Sequence, residues 1–285
     1  MVDLNEVQAR FILANICEPG DSRINKIAVK HQWPELLLEP KLLPEIYQSA
    51  LTKVSINKLL EDFAGANFIT PQSDYWPLGI NDLGLGSPIG LWWLGDIQKI
   101  NPVSIAIVGA RGASVYGISV ASELAMELAA MNINIISGGA FGIDAAAHQG
   151  ALQGNGFTVA VMAGGVDCLY PKTNSSLFQR IIDSGLIISE VPPTSPPLRH
   201  RFLVRNRLIA AMSRSTVVVE ARIKSGAMST ANEATNLGRD VMAVPGSIRS
   251  ANSTGCHKLI RDGAVLVSSA AEICELLVSD YPQYA

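Results

Sequence analysis

SIAIVGARGASVYGISVASELAMELAAMNINIISGGAFGIDAAAH, residues 104–148, decides the fold. It opens on a short apolar run, Ser104 to Ala110, turns through glycine, continues at helical spacing, and closes on a second run, Ile133 to Gly138. Each run is apolar at successive positions, so both faces of the strand need cover, as in a parallel sheet with helices on each side. The alternation repeats in FTVAVMA (157–163), LIISEV (186–191), STVVVEA (215–221), DVMAVPG (240–246) and AVLV (264–267). Most of the segments between these runs have helical periodicity. The pattern predicts an α/β protein with an extended, Rossmann-like, doubly wound and mostly parallel sheet.

Upstream, the period changes. Val7, Phe11, Leu13 and Ala14 fit one helix, and Leu42 through Phe63 fit two more with a break near Lys53. Glu18-Pro19-Gly20-Asp21 reads as a turn between helices. Residues 1–64 are therefore expected to form a small helical domain, and 65–285 the Rossmann-like domain that carries the site. The stretch from Thr70 to Asn101, rich in Pro, Gly and Trp, reads as linker-like. Its Trp76, Trp92 and Trp93 are expected to cover a sheet edge or core rather than to stack bases.

Composition narrows the function classes. Hydrophobic residues make up 48% and charged residues 16% of 285 residues, enough for a sizeable core. No apolar run approaches the roughly 18 residues needed to span a bilayer, so no membrane role is expected. MVDLNEVQARF has neither the basic nor the apolar region of a secretory leader. Cys17, Cys168, Cys256 and Cys274 are scattered without a C-x-x-C pair, which predicts reduced thiols, a cytoplasmic location and no zinc ribbon.

The formal net charge is -3, yet between Val191 and Val219 there are five arginines and no carboxylate. Arg199, Arg201, Arg205, Arg207 and Arg214 form a concentrated basic segment, which points to a local anionic partner. Guanidinium groups fork onto phosphate oxygens and stack on flat rings. Asn206, between two of them, either orders the basic helix or touches nucleic acid.

In doubly wound sheets the ligand lies beyond the carboxyl ends of the strands. After the first run stand Gly109-Ala110-Arg111-Gly112, and after the second Ser137-Gly138-Gly139-Ala140-Phe141-Gly142. Later runs lead to Tyr170-Pro171-Lys172, to Glu220-Ala221-Arg222-Ile223-Lys224-Ser225-Gly226, and to Pro245-Gly246-Ser247. Glycine turns with exposed N–H groups at helix starts make a phosphate-binding rim. Gly109, Ser137, Gly138, Gly139 and Gly142 are its expected anion loops. Ser225 fits an N-cap and a phosphate contact equally well. The first loop is not G-x-G-x-x-G, the second run does not end in an acidic residue, and no G-x-x-x-x-G-K-[ST] occurs. Dinucleotide and P-loop chemistry are set aside, and no cofactor or metal is expected. Asp144 and His148 share a helix face. The structural reading, in which Asp144 orders the glycine loop and His148 bonds to it, outweighs an acid/base pair or metal ligands.

Read together, Val108-Gly109-Ala110-Arg111, Tyr116-Gly117, SGGAFGIDAAAH (137–148), Tyr170-Pro171, FLVRNRLIAAMS (202–213), Val219-Glu220-Ala221, Ser225-Gly226, Val244-Pro245-Gly246-Ser247 and Gly255-Cys256-His257-Lys258-Leu259-Ile260 resemble the DNA-processing protein A (DprA/Smf) family. The likeness runs in order from about residue 66 to 268, and it is the shared order that makes it specific. It implies a cytoplasmic protein that binds single-stranded DNA, loads the RecA recombinase onto it in natural transformation, forms a homodimer and is not an enzyme. It carries DNA contact onto Arg111, Lys172, Arg205 and Arg207. With the charge and loop arguments, Arg201, Asn206, Lys224, Ser225 and Gly226 join them as expected contacts. Phe141 stands where the family often has a basic residue, and it offers a ring for base stacking instead. The N-terminal helices lack a Gly-x-Gly hairpin, so no DNA binding is assigned to them. From its end at Ala285, the winged-helix tail of many members is not expected.

Two rival readings use the same residues. In one, the rim holds a nucleoside monophosphate whose N-glycosidic bond is hydrolysed near Glu220. In the other, the arginines dock an acidic protein.

Overall fold

The computed structural model describes residues 4–100 and 103–280. The first residues of the stretch read against a leader, the Asn101 end of the linker-like stretch, and the chain end at Ala285 lie outside the described residues.

Five helices come first: α1 (Glu6–Ile16), α2 (Ser22–Ala28), α3 (Trp33–Leu38), α4 (Glu45–Leu51) and α5 (Ile56–Phe63). The predicted break near Lys53 separates α4 from α5, and the predicted turn at Glu18–Asp21 separates α1 from α2. Helices α2 and α3 were not expected from periodicity, because each is barely two turns long. Local chemistry sets the starts. Asn5 and Gln8 form a reciprocal capping box at α1. Asp21 caps α2 by accepting the Arg23 N–H at 3.0 Å.

The nine-stranded sheet follows. Its strands are β1 (Phe68–Ile69), β2 (Leu91–Gly95), β3 (Ser104–Gly109), β4 (Asn134–Ser137), β5 (Thr158–Met162), β6 (Leu186–Ser189), β7 (Ser215–Val219), β8 (Asp240–Ala243) and β9 (Val265–Leu266). Interleaved with them are α6 (Val115–Ala130), α7 (Ile143–Gln153), α8 (Ser175–Ser184), α9 (Arg199–Ala211), α10 (Gly226–Asn236), α11 (Thr254–Arg261) and α12 (Ala270–Asp280). The spatial order is β1-β2-β6-β5-β4-β3-β7-β8-β9. Strands β3 to β9 pair parallel with one another, while β2 adds to β6, and β1 to β2, as antiparallel pairs at one edge. The chain starts this parallel sheet at β3, winds outward to β6, then crosses back through α9 to β7 on the other side of β3. The order reverses there, so the crevice between the ends of β3 and β7 is the place such sheets bind ligands.

Every strand predicted from an apolar run is present. Alternate residues of β3 bury on opposite faces. Ile105 and Ile107 pack with α6, α7 and α12, and Ala106 and Val108 pack with α9, α10 and α11. The linker-like reading of 70–101 needs correcting at its end. Leu91–Gly95 is a strand that pairs with β6 and covers the sheet edge with buried Trp92. That fits the reading of the tryptophans as cover. The helices of 1–64 share one hydrophobic cluster with β2, α8 and the outer face of β5 and β6. Phe11 lies 5.2 Å from Phe68 and 6.1 Å from Trp92, ring centre to ring centre. Among the described residues no helix is long and apolar enough to cross a membrane, and all four cysteines are unpaired.

Candidate nucleic-acid interface

A cavity of about 830 Å³ opens where the strand order reverses. Gly109, Arg111 and Gly112 enter it from the β3 turn, Arg222, Lys224, Ser225 and Gly226 from the β7 turn, and Arg199, Phe202, Arg205 and Asn206 from α9. Ala140, Asp144, Tyr170 and Asn252 complete the parts used below.

The rim is cationic. Arg111, Arg199, Arg222 and Lys224 are exposed, and none forms an ion pair within the described residues. The Arg111 guanidinium lies 5.1 Å from the centre of the Phe202 ring, which Tyr170 meets edge-on at 5.8 Å. A cation beside an edge-to-face aromatic pair suits a phosphate next to a base. Helix α10 begins at the rim, capped by Ser225, whose Oγ accepts the Met228 N–H at 3.5 Å. The free N–H groups of that first turn and its dipole favour an anion.

The floor is buried. Arg205 donates from Nη1 to the carbonyls of Gly138 and Val161, which fixes α9 to the ends of β4 and β5. Burial lowers its pKa to about 10, with Asp144 acting in the opposite direction, so it stays charged at neutral pH. Burial raises the Asp144 carboxyl, against Arg205, the Ala140 and Gly138 N–H groups and Arg111. His148 does not bond to Asp144, contrary to expectation. Its Nδ1 lies 2.7 Å from Thr158 Oγ1, whose hydroxyl donates to the Ile135 carbonyl. Thr158 must then accept, so His148 carries its proton on Nδ1 and leaves Nε2 buried without a partner. Desolvation and Arg205 hold its pKa down at about 3.

The structure divides the expected contacts. Arg111, Lys224, Ser225, Gly226 and Gly109 line the cavity, joined by Arg205 and Asn206 from its floor. Asn206 donates to the Gly226 carbonyl at 3.2 Å, so it orders the α10 turn. Lys172 is exposed outside the cavity wall, two residues beyond Tyr170. Arg201 and Arg207 face away. Arg201 forks onto Glu18 at 2.7 and 2.9 Å, and Arg207 pairs with Glu190 at 2.7 Å. Of the glycine loop, Ser137, Gly138 and Gly139 are buried in the fold. Ser137 donates to the Ile107 carbonyl, Gly138 backs onto Arg205 and Gly139 onto Phe178. Gly142 has φ +76°, and a Cβ there would lie 2.3 Å from the Ala110 carbonyl oxygen. It joins the two turns rather than facing a ligand. Phe141 is exposed but does not line the cavity.

Arg199, Arg222, Phe202 and Tyr170 were not assigned from sequence. The signal for Arg222 was available, since it stands in the same post-strand turn as Lys224. Glu220 is not part of the wall. It sits at φ +55° and accepts the Ser114 N–H at 2.8 Å and the Ser114 hydroxyl at 2.6 Å, tying the β7 turn to the start of α6. Among the described residues no group of three or more His, Cys, Asp or Glu is placed to hold a metal.

A family model for DNA recombination-mediator protein A matches residues 67–278. The chain belongs to that family. It is 35% identical over 230 residues to the DNA processing protein DprA of Streptococcus pneumoniae, covering 81% of each chain. It is 47% identical over 225 residues to a Mycobacterium tuberculosis DprA relative, of whose length it spans 58%. The X-ray structure of the Streptococcus pneumoniae protein superposes with TM-score 0.84 at 29% identity, over 96% of this chain and 98% of that one. DNA processing protein A from Helicobacter pylori, studied for its single-stranded DNA binding mode, superposes with TM-score 0.68 at 30% identity, over 76% and 99%. The family model starts at residue 67, close to where the helical segment gives way to the sheet.

Proposed function

We propose that this chain binds single-stranded DNA across the strand-end cavity and acts there as a binding protein, not an enzyme. The observation that carries the reading is the Arg111–Phe202–Tyr170 group beside the start of α10. It pairs a stacking surface with phosphate-binding groups, and a base locked in a duplex is not free to reach a recessed ring. The Helicobacter pylori relative, with its single-stranded DNA binding mode, supports the same substrate class. Arg111, Arg199, Arg222 and Lys224 would neutralise phosphates, with Ser225 and Gly226 offering backbone N–H groups. Lys172 extends that track past Tyr170.

By family likeness, the bound strand is handed to the RecA recombinase during recombination or natural transformation. The working form would be a cytoplasmic homodimer, a setting in which the thiols stay reduced. Strand β9, with Val265 and Leu266 half-exposed at the sheet edge, is a candidate dimer surface. The hydrolase reading loses its residue, because Glu220 is engaged by Ser114 away from the cavity wall.

The test is competition binding with a labelled single strand. An unlabelled single strand should displace it at least tenfold more effectively than the matching duplex, and Phe202→Ala should weaken binding by about 1–3 kcal/mol. Equal competition by duplex, or an unaffected Phe202→Ala variant, would remove the stacking argument.

A further inference from the structure

Helix α9 presents two faces to two different parts of the molecule. Arg199, Phe202, Arg205, Asn206 and Ile209 face the cavity. His200, Arg201, Val204 and Arg207, on the other side, meet the α1–α2 loop and the end of β6. Glu18 of that loop accepts from Arg201 Nε at 2.7 Å and Nη2 at 2.9 Å, with His200 Nε2 at 2.8 Å. One turn on, Gly20 lies so close that a Cβ would stand 2.7 Å from Val204 Cγ1, and its φ is +75°. The Gly20 N–H donates to Glu190 at 3.0 Å, and Glu190 also receives Arg207. The loop is held in turn by its own domain. Tyr47 of α4 donates to Asp21 at 2.6 Å and accepts the Glu18 N–H at 3.2 Å.

Apart from the Arg111 and Tyr170 contacts with the Phe202 ring, the first turn of α9 is held chiefly by this loop. Leu198 provides no side-chain cap, and a proline-rich segment leads into it. Yet this turn carries Arg199 and Phe202 into the cavity. We infer that the helical domain positions the DNA site, with Glu18 and Gly20 as positioning residues that fix the first turn of α9 through Arg201, His200 and Val204. The inference rests on the DNA-binding reading for its functional consequence, though not for its structural one. A preorganised binding turn improves affinity by removing the cost of ordering it. Arg201 on this account is a strut, already neutralised by a carboxylate, and adds no phosphate contact.

The experiment compares wild type with Glu18→Ala, and with Gly20→Ala as a second way to lift the loop. Single-stranded DNA affinity, read by anisotropy across a salt series, should fall about three- to tenfold in both variants with the salt slope unchanged. Hydrogen exchange of backbone amides at 199–203 should quicken in both, without DNA present. Equal or tighter DNA binding by Glu18→Ala, or a slope steeper by about 0.7, would mean that freed Arg201 joins the DNA contacts, and would overturn the inference. Unchanged exchange at 199–203 would overturn it as well. Should wild type not bind single strands at all, the DNA-binding reading fails, and the exchange measurement alone decides whether the loop fixes α9.

Discussion

At the residue scale, the chemistry of each charged group follows from its partner. Glu220 looked available from sequence because it ends a strand, but Ser114 occupies both of its oxygens. Glu220→Gln is therefore expected to lower stability by about 1–3 kcal/mol in thermal unfolding. His148 gives a pH signature. Its pKa is about 3 in the fold against 6.5 free, so the unfolded chain takes up a proton below pH 6.5 and the folded chain does not. Stability from this group is complete above about pH 6.5 and is lost as pH falls toward 3. Asp144 acts oppositely, since its raised pKa favours the fold at lower pH. Denaturant midpoints between pH 7 and 4.5 should fall less steeply in His148→Gln than in wild type. The difference should approach one proton, ~1.4 kcal/mol per pH unit. Parallel slopes would contradict the buried neutral imidazole.

At the element scale, α9 shows where sequence reading succeeds and where it stops. The run Arg199 to Arg207 is visibly basic, and the strands on either side of it were legible because apolar runs need cover on both faces. The carboxylates that meet Arg201 and Arg207 were not legible, because Glu18 lies 183 residues away from Arg201 and Glu190 belongs to the preceding strand end. Charge density in sequence reports supply, not exposure. Arg207→Ala should thus destabilise the protein by roughly 2–4 kcal/mol by leaving the largely buried Glu190 without its cation and with only the Gly20 N–H, as chemical denaturation would show. The antiparallel strand β2 escaped notice for a related reason. LWWLG has no alternation of its own, and its place at the edge comes from pairing with β6. The turn at Glu18–Asp21 was legible from its Pro-Gly pair, but its contact with α9 was not.

At the scale of the whole molecule, the helical segment and the sheet share one aromatic core. Phe11, Phe63, Phe68 and Trp92 meet at ring distances of 4.8 to 6.1 Å. Phe11→Ala is expected to cost about 3–5 kcal/mol and to lower a single cooperative transition rather than to release the helices separately. Two resolved transitions in calorimetry would show instead that the segments fold independently. The cavity sits at the strand-order reversal between β3 and β7, and its exposed cations come from three separate turns of the chain. That makes the rim a property of topology, although Arg111 and Lys224 could be picked from their places after strands. With a net charge of -3, the proposed reading requires attraction for a polyanion to be local to this rim. The measurement that tests this most directly is the salt dependence of single-stranded oligonucleotide binding, for wild type and for Arg111→Ala/Lys224→Ala. Contacts from Arg111, Arg199, Arg222 and Lys224 predict a log–log slope of about -3, shallower by about 1.4 in the double variant, with weaker affinity. A wild-type slope near zero, or a double variant with unchanged affinity and slope, would contradict a phosphate-binding rim at the strand ends.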